Sequence, residues 1–231
     1  MTDQPAQAPA RAPAQMEADL RELLATIRSP HLHRLLMMVF SEGSPTWPAF
    51  REVAAAKHYH QAYRHGLLEH CLTVAQAVSA ISAIFPGIDR DLAVTGALLH
   101  DIGKIDSYQF DEETDEVSMS DLGRLHGEIA LGYYRVRRLI ERIDGFPPEL
   151  EHALSHIILS HHGSLAHGSP VVPCTREATL VHMIDNLGGR LGSFDRVERL
   201  LADGEQWSPW DKGIGGGAFF GTALQQDRKA A

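Results

Sequence analysis

Thr95-Gly96-Ala97-Leu98-Leu99-His100-Asp101-Ile102-Gly103-Lys104-Ile105 is an apolar run that delivers a His-Asp pair, with a glycine and a lysine close behind. Buried segments rarely carry ionisable pairs unless something satisfies them. Two arrangements would do so. One is a divalent metal, for which neutral imidazole and carboxylate are both good ligands. The other is a His-Asp hydrogen bond at a helix end.

Outward from this run the chain reads as helices. Towards the N-terminus, Leu67, Val74, Val78, Ile81 and Phe85 form the apolar stripe of a helix over 66–85, ended by Pro86-Gly87. Asp91 then marks the cap or first turn of the helix that carries the His-Asp pair and ends at Gly103. Earlier still, Leu20, Leu23, Leu24 and Ile27 recur at helical spacing, Ser29-Pro30 interrupts, and 31–40 and 50–57 read as further helices. Towards the C-terminus, 110–120 is acidic and reads as a loop or short hairpin. Residues 122–143, a segment opening at Pro147-Pro148 and running to Leu159, and 175–201 read as helices, the last weakened at Gly188-Gly189. No run of alternating strands and no internal repeat is present. The pattern predicts an all-α bundle of seven to nine helices. Residues 1–15, rich in Ala, Pro and Gln, are expected to be a disordered tail. The domain proper then covers 16–205, and a Gly-rich, aromatic tail covers 206–231.

Composition narrows the function. The 231 residues suffice for one well-packed domain, and 44% hydrophobic with 22% charged content is that of a globular protein. No apolar run reaches the roughly 20 residues needed to cross a bilayer, and no secretory leader is evident, so a cytoplasmic protein without membrane contact is expected. Cys71 and Cys174 stand apart, which argues against a disulfide framework or a thiolate zinc site. A net charge of -9 argues against a basic nucleic-acid surface. It leaves room for a phosphate-bearing substrate, because two divalent ions would bring about four positive charges to the site.

Fourteen histidines are the more telling count. His70 lies on the helix before the His100-Asp101 run, and His126 and Glu128 on the helix after it. His161-His162 close a further helix, and Asp185 lies in an otherwise apolar helical segment. Donors on separate helices converge readily in a bundle core. Any one of them alone reads more simply as a satisfied core residue; the whole set does not.

The order His70, His100-Asp101, His161-His162, Asp185 resembles the HD superfamily of metal-dependent phosphohydrolases. More closely, His60-Gln61-Ala62-Tyr63, Gly66-Leu67-Leu68-Glu69-His70, the run from Gly96 to Lys104, Ile157 to Gly163 and Gly168 to Pro173 are similar to the YhaM-type 3′→5′ exoribonucleases, over about residues 20–215. The resemblance implies an HD-type helical bundle and two divalent ions. Mn²⁺ is favoured, with Mg²⁺, Co²⁺, Fe²⁺, Ni²⁺ or Zn²⁺ as alternatives. It implies that His70, His100, Asp101 and Asp185 hold the first ion, and that Asp101 bridges to a second held with His161 and His162. In such a site the ions activate water and stabilise charge on the phosphate, and Lys104 neutralises a phosphate oxygen.

Three positions depart from the family pattern. Glu128 stands where a His is usual, four residues before Gly132, which leaves Glu128, the nearby His126, or neither to serve the second ion, the last leaving that site weak or empty. His167 and Gly188 stand where acidic residues are common. Longer family members add an N-terminal OB-fold, for which the residues before the catalytic part leave no room, so the expected substrate is a nucleotide or a short single-stranded RNA or DNA.

Arg135 and Arg138 share a helix face that either guides a phosphate backbone or is simply solvated. Trp207, Trp210, Phe219 and Phe220 either stack bases or dock on the core or on another copy in a homo-oligomer. The function expected is phosphodiester hydrolysis from a 3′ end. The alternatives are hydrolysis of a free or signalling nucleotide, or a metal-stabilised module without turnover.

Overall fold

The structure, a computed structural model, describes residues 9–57, 61–110 and 116–221. They fall into two compact units, one ending at Asp185 and one beginning at Asn186. The first holds α1 (Pro13–Ala25), α2 (Pro30–Phe40), α3 (Trp47–Glu52), α4 (Gly66–Ser82), α5 (Arg90–Leu99), α6 (Lys104–Ser107), β1 (Tyr108–Phe110), β2 (Val117–Met119), α7 (Asp121–His126), α8 (Glu128–Ile140) and α9 (Pro148–Ser160). After a 3₁₀ turn at Leu165–His167, α10 (Arg176–Arg199) carries Asp185 and continues into the second unit. Among the described residues the fold is all-α apart from one antiparallel strand pair, with Tyr108 opposite Met119, and two isolated bridges, Trp207 to Phe219 and Asp211 to Gly216.

The core sits where α4, α5, α8 and α9 pack together, around Leu67, Leu72, Leu98, Leu99, Val136, Ile157 and Ile158. Each fully buried Leu or Ile contributes about 2 kcal/mol of transfer free energy. From Leu92 to Leu99, α5 is buried on every side, which explains an apolar run rather than a stripe. Its small residues allow close contact: a Cβ at Gly96 would lie 2.6 Å from Ile157 Cδ1.

Several boundaries differ from the sequence reading. Asp91 does lie in the first turn of α5, one of its two expected places, and accepts from the Arg28 and Ser29 N–H, while the cap is Asp89, which accepts the Leu92 N–H. The helix stops at Leu99, and the chain tightens into i→i+3 bonds, Ile102 N–H to Leu99 and Lys104 N–H to Asp101. The helix expected over 122–143 breaks at Gly127, whose φ of +76° ends α7 and lets α8 start on a new axis.

The expected N-terminal tail is structured from Ala10 onward. Pro13 opens α1, the Ala10 N–H bonds Glu69 Oε1, and Arg11 reaches Asp19, Thr73 and Gln76. Polar anchors replace the apolar groups whose absence suggested disorder. Residues 1–8, 58–60, 111–115 and 222–231 lie outside the described residues.

In the second unit the aromatic segment folds back instead of trailing. Ala218 and Phe220 pack on Val197, and Asp211 binds Arg196 at 2.6 Å and the Gly213 N–H at 2.9 Å. Trp207, Trp210 and Phe219 remain exposed. Among the described residues no helix is long and apolar enough to cross a membrane.

Candidate metal centre

Five elements deliver side chains to one place. His70 comes from α4, His100 and Asp101 from the turn after α5, Glu128 from the first residue of α8, His161 and His162 from the turn after α9, and Asp185 from α10. Two groups of donors result: His70, His100 and Asp185, and Asp101, Glu128, His161 and His162. His70, His100, Asp101 and His161 are buried.

Asp101 joins the groups. Its Oδ2 lies 3.2 Å from His70 Nε2 and 3.4 Å from His100 Nε2, while its Oδ1 lies 3.4 Å from His161 Nε2. His70 Nε2 also stands 3.1 Å from Asp185 Oδ1, and His162 Nε2 stands 3.4 Å from Glu128 Oε1. Ligands about 2.0–2.2 Å from a tetrahedral ion are about 3.3–3.6 Å from one another, close to the 3.1–3.4 Å between these donors.

Every histidine ring is turned the same way. Nδ1 donates to an oxygen in each case: His70 to Gln61 Oε1 (3.1 Å), His100 to Ala97 O (2.7 Å), His161 to Ile158 O (2.8 Å) and His162 to His167 O (3.0 Å). A hydrogen bond at one ring nitrogen fixes which nitrogen is left to bind metal. Here it is Nε2 in all four.

The decisive detail lies between His161 and Asp101. His161 Nε2 and Asp101 Oδ1 are buried and have no hydrogen-bond partner. Burial lowers the His161 pKa despite Asp101 nearby, so the ring is neutral and its Nε2 presents a lone pair. That lone pair faces a carboxylate oxygen. A cation between them would satisfy two buried acceptors opposed in this way, and the donor set fits a divalent metal.

Charge is otherwise balanced within the site. Burial alone would raise Asp101, but Lys104 and His100 hold it well below the usual carboxylate range. Asp185 is likewise held well below that range by His100 and His70 against the effect of burial. Burial works against a charge on His100, yet Asp101 and Asp185 push its pKa up to about 10. His70 is raised by the same two carboxylates. Lys104 Nζ donates to Asp101 Oδ2 at 2.7 Å, and its pKa is raised despite burial, by Asp101 and then Glu128, so it stays an ammonium.

Other expected site residues lie elsewhere. His126 ends α7 with an exposed side chain and belongs to neither donor group, whereas Glu128 does. The break at Gly127 separates the two. Arg135 grips Asp106, Nη2 to Oδ1 at 2.7 Å and Nε to Oδ2 at 3.1 Å, and Arg138 lies exposed 3.5 Å from Glu141. His167 offers its carbonyl, not its ring, to His162. Burial pushes the Cys71 thiol well above its ordinary range, in keeping with inert packing beside His70.

The sequence reading assigns no role to two supporting residues. His182, which had no evident partner, donates from Nδ1 to the His161 carbonyl at 2.7 Å and lies against Gly163, where a Cβ would come 2.0 Å from its ring. Gln61 supports His70. Nothing local in sequence announces either contact.

Comparison with known proteins agrees with this geometry. A family model described as the HD domain matches residues 67–189. The 3′-5′ exoribonuclease YhaM of Bacillus subtilis (strain 168) is 28% identical over 191 residues, 83% of this chain and 59% of that protein. The protein of the same name from Shouchella clausii (strain KSM-K16) is 30% identical over 187 residues, 81% of this chain and 56% of that protein. That from Geobacillus sp. (strain WCH70) is 30% identical over 200 residues, 86% of this chain and 59% of that protein. The chain thus spans less than two thirds of the length of these curated relatives. No solved structure matches it.

Proposed function

The chain belongs to the HD domain family, and on that footing we propose that it is a divalent-metal-dependent phosphodiesterase that removes nucleotides from the 3′ end of short RNA or single-stranded DNA. The observation that carries the reading is the buried, unpartnered pair of His161 Nε2 and Asp101 Oδ1 within two groups of metal-type donors. The similarity to YhaM exoribonucleases supports the choice of substrate. His70, His100, Asp185 and Asp101 Oδ2 would hold one ion, and Asp101 Oδ1, Glu128, His161 and His162 the other; the carboxylates suit Mn²⁺, the ion we expect, and the imidazoles suit Fe²⁺, Ni²⁺ or Zn²⁺ as well.

A divalent ion bound there supplies Lewis acidity and a water of lowered pKa. The chain's own residues do the rest. Lys104, kept protonated by Asp101 and Glu128, is a fixed cation and no proton donor. It serves the charge that grows on the phosphate oxygens. Asp101 and Asp185, held ionised, offset the charge of the ions. Water adds its oxygen to phosphorus, the P–O3′ bond breaks, a proton from the water passes through solvent to the departing O3′, and a nucleoside 5′-monophosphate is released.

The test is release of mononucleotides from a 5′-labelled oligonucleotide with Mn²⁺, beside a panel of free nucleotides and a His100→Ala control. Stepwise shortening that chelation and the substitution both abolish is the expected result. Turnover of free nucleotides without shortening of oligomers would replace the substrate class. Bound metal with no turnover of either would make the protein a metal-stabilised binding module.

A further inference from the structure

We infer that Gln61 is a positioning residue for the metal centre, its amide oxygen holding the His70 ring so that Nε2 faces the other donors. The inference rests on the reading of His70 as a metal ligand. Gln61 Oε1 lies 3.1 Å from His70 Nδ1, and on the far side of the ring Nε2 stands 3.1 Å from Asp185 Oδ1 and 3.2 Å from Asp101 Oδ2.

Helix position explains why a side chain is needed here. His100 and His161 each follow the last residue of a helix, and their Nδ1 atoms use the carbonyls of Ala97 and Ile158, in the final turns of α5 and α9. Carbonyls of a last turn have no partner within the helix, so they are free to accept. His70 sits inside α4, where the preceding carbonyls serve the helix itself. An acceptor for its Nδ1 must come from outside the helix, and Gln61 brings it.

The backbone at Gln61 is arranged for that purpose. Its φ is +60°, in the left-handed region that residues with a Cβ seldom occupy. The conformation is held from several sides. The Gln61 carbonyl accepts the Ala55 N–H at 3.1 Å, and a Cβ at Gly66 would lie 2.1 Å from that carbonyl oxygen, so only glycine lets the loop close over the start of α4. At the other end of the loop His65, with φ +69°, donates its N–H to Glu52 O and its Nδ1–H to Arg51 O. Strain of this kind persists where surroundings over-determine it, and it gathers at functional sites. For the backbone alone glycine would serve better at position 61; the amide is what glutamine adds.

That contrast supplies the test. Gln61→Gly relieves the backbone and removes the acceptor, whereas Gln61→Glu keeps the strain and presents oxygen at both terminal positions. The readouts are the ¹⁵N signals of the His70 ring in chelator-treated protein, at a pH where the ring is neutral, and calorimetric titration with Mn²⁺. Gln61→Gly is expected to melt no lower than the parent, to lose the preference for Nδ1–H, and to bind one Mn²⁺ equivalent about 10–100-fold more weakly. Gln61→Glu is expected to keep the parental tautomer and affinity. A Gly variant with parental tautomer and affinity, or a Glu variant as weak as the Gly variant, would overturn the inference. A parent that binds no divalent ion would defeat the metal-centre reading instead, and the ring tautomer would still report on Gln61.

Discussion

Asp101 Oδ1 and His161 Nε2 face each other at 3.4 Å, both buried and neither holding a hydrogen bond. Asp101→Asn puts an amide N–H in that gap, which can donate to His161 without any ion. Metal analysis after dialysis against Mn²⁺ should then fall from two equivalents to fewer than one, with hydrolysis at background. Lys104 also loses its anionic partner, so denaturant unfolding of the chelator-treated protein should show a loss of about 3 kcal/mol. Retention of both equivalents would show that Asp101 does not bridge the groups.

Glu128 and His126 are two positions apart in sequence but belong to different helices, and only Glu128 reaches the donors. Glu128→Ala is expected to remove one Mn²⁺ equivalent and leave the other, and His126→Ala to leave both. Glu128→His should restore the second equivalent. The reverse pattern for the two alanine variants would assign the position to His126.

Proton and metal compete for the same nitrogens. The folded-state pKa of His100 is raised to about 10 from about 6.5 in an unfolded chain. The stability this gives is therefore complete below about pH 6.5 and is lost as pH rises through about 10. A metal that takes the place of that proton gains affinity by about tenfold per pH unit across this window. Calorimetric titrations should show Mn²⁺ binding up to about 100-fold tighter at about pH 8 than at about pH 6. Equal affinity at both would mean that no proton leaves.

Gly103 sets the distance between the His-Asp turn and α8. A Cβ there would lie 2.0 Å from Glu128 O and 2.5 Å from Gly132 N, with only backbone to push against. Gly103→Ala should cost about 3 kcal/mol in thermal or denaturant unfolding and should weaken the equivalent held through Glu128 more than the other. A neutral substitution would mean that the two segments separate freely.

The donors were legible because their chemistry conflicts with their surroundings. His100-Asp101 at the end of a fully apolar run and Asp185 amid apolar neighbours stand out in any reading of periodicity. The helical class followed from the same periodicity. What stayed hidden depends on contacts far apart in sequence or on single dihedral angles. Gly127 splits one helical pattern in two through a positive φ, and the segment at Ala10 and Arg11 is held by polar bonds that include Ala10 N–H to Glu69, 59 positions away. The partner of His182 is a carbonyl 21 positions away. No window of sequence contains such facts.

Lys104, lodged against Asp101 Oδ2, gives the carboxylate a counter-charge that belongs to the chain itself. Oδ2 is thus answered without metal, while Oδ1 on the same carboxylate is left to face the His161 lone pair.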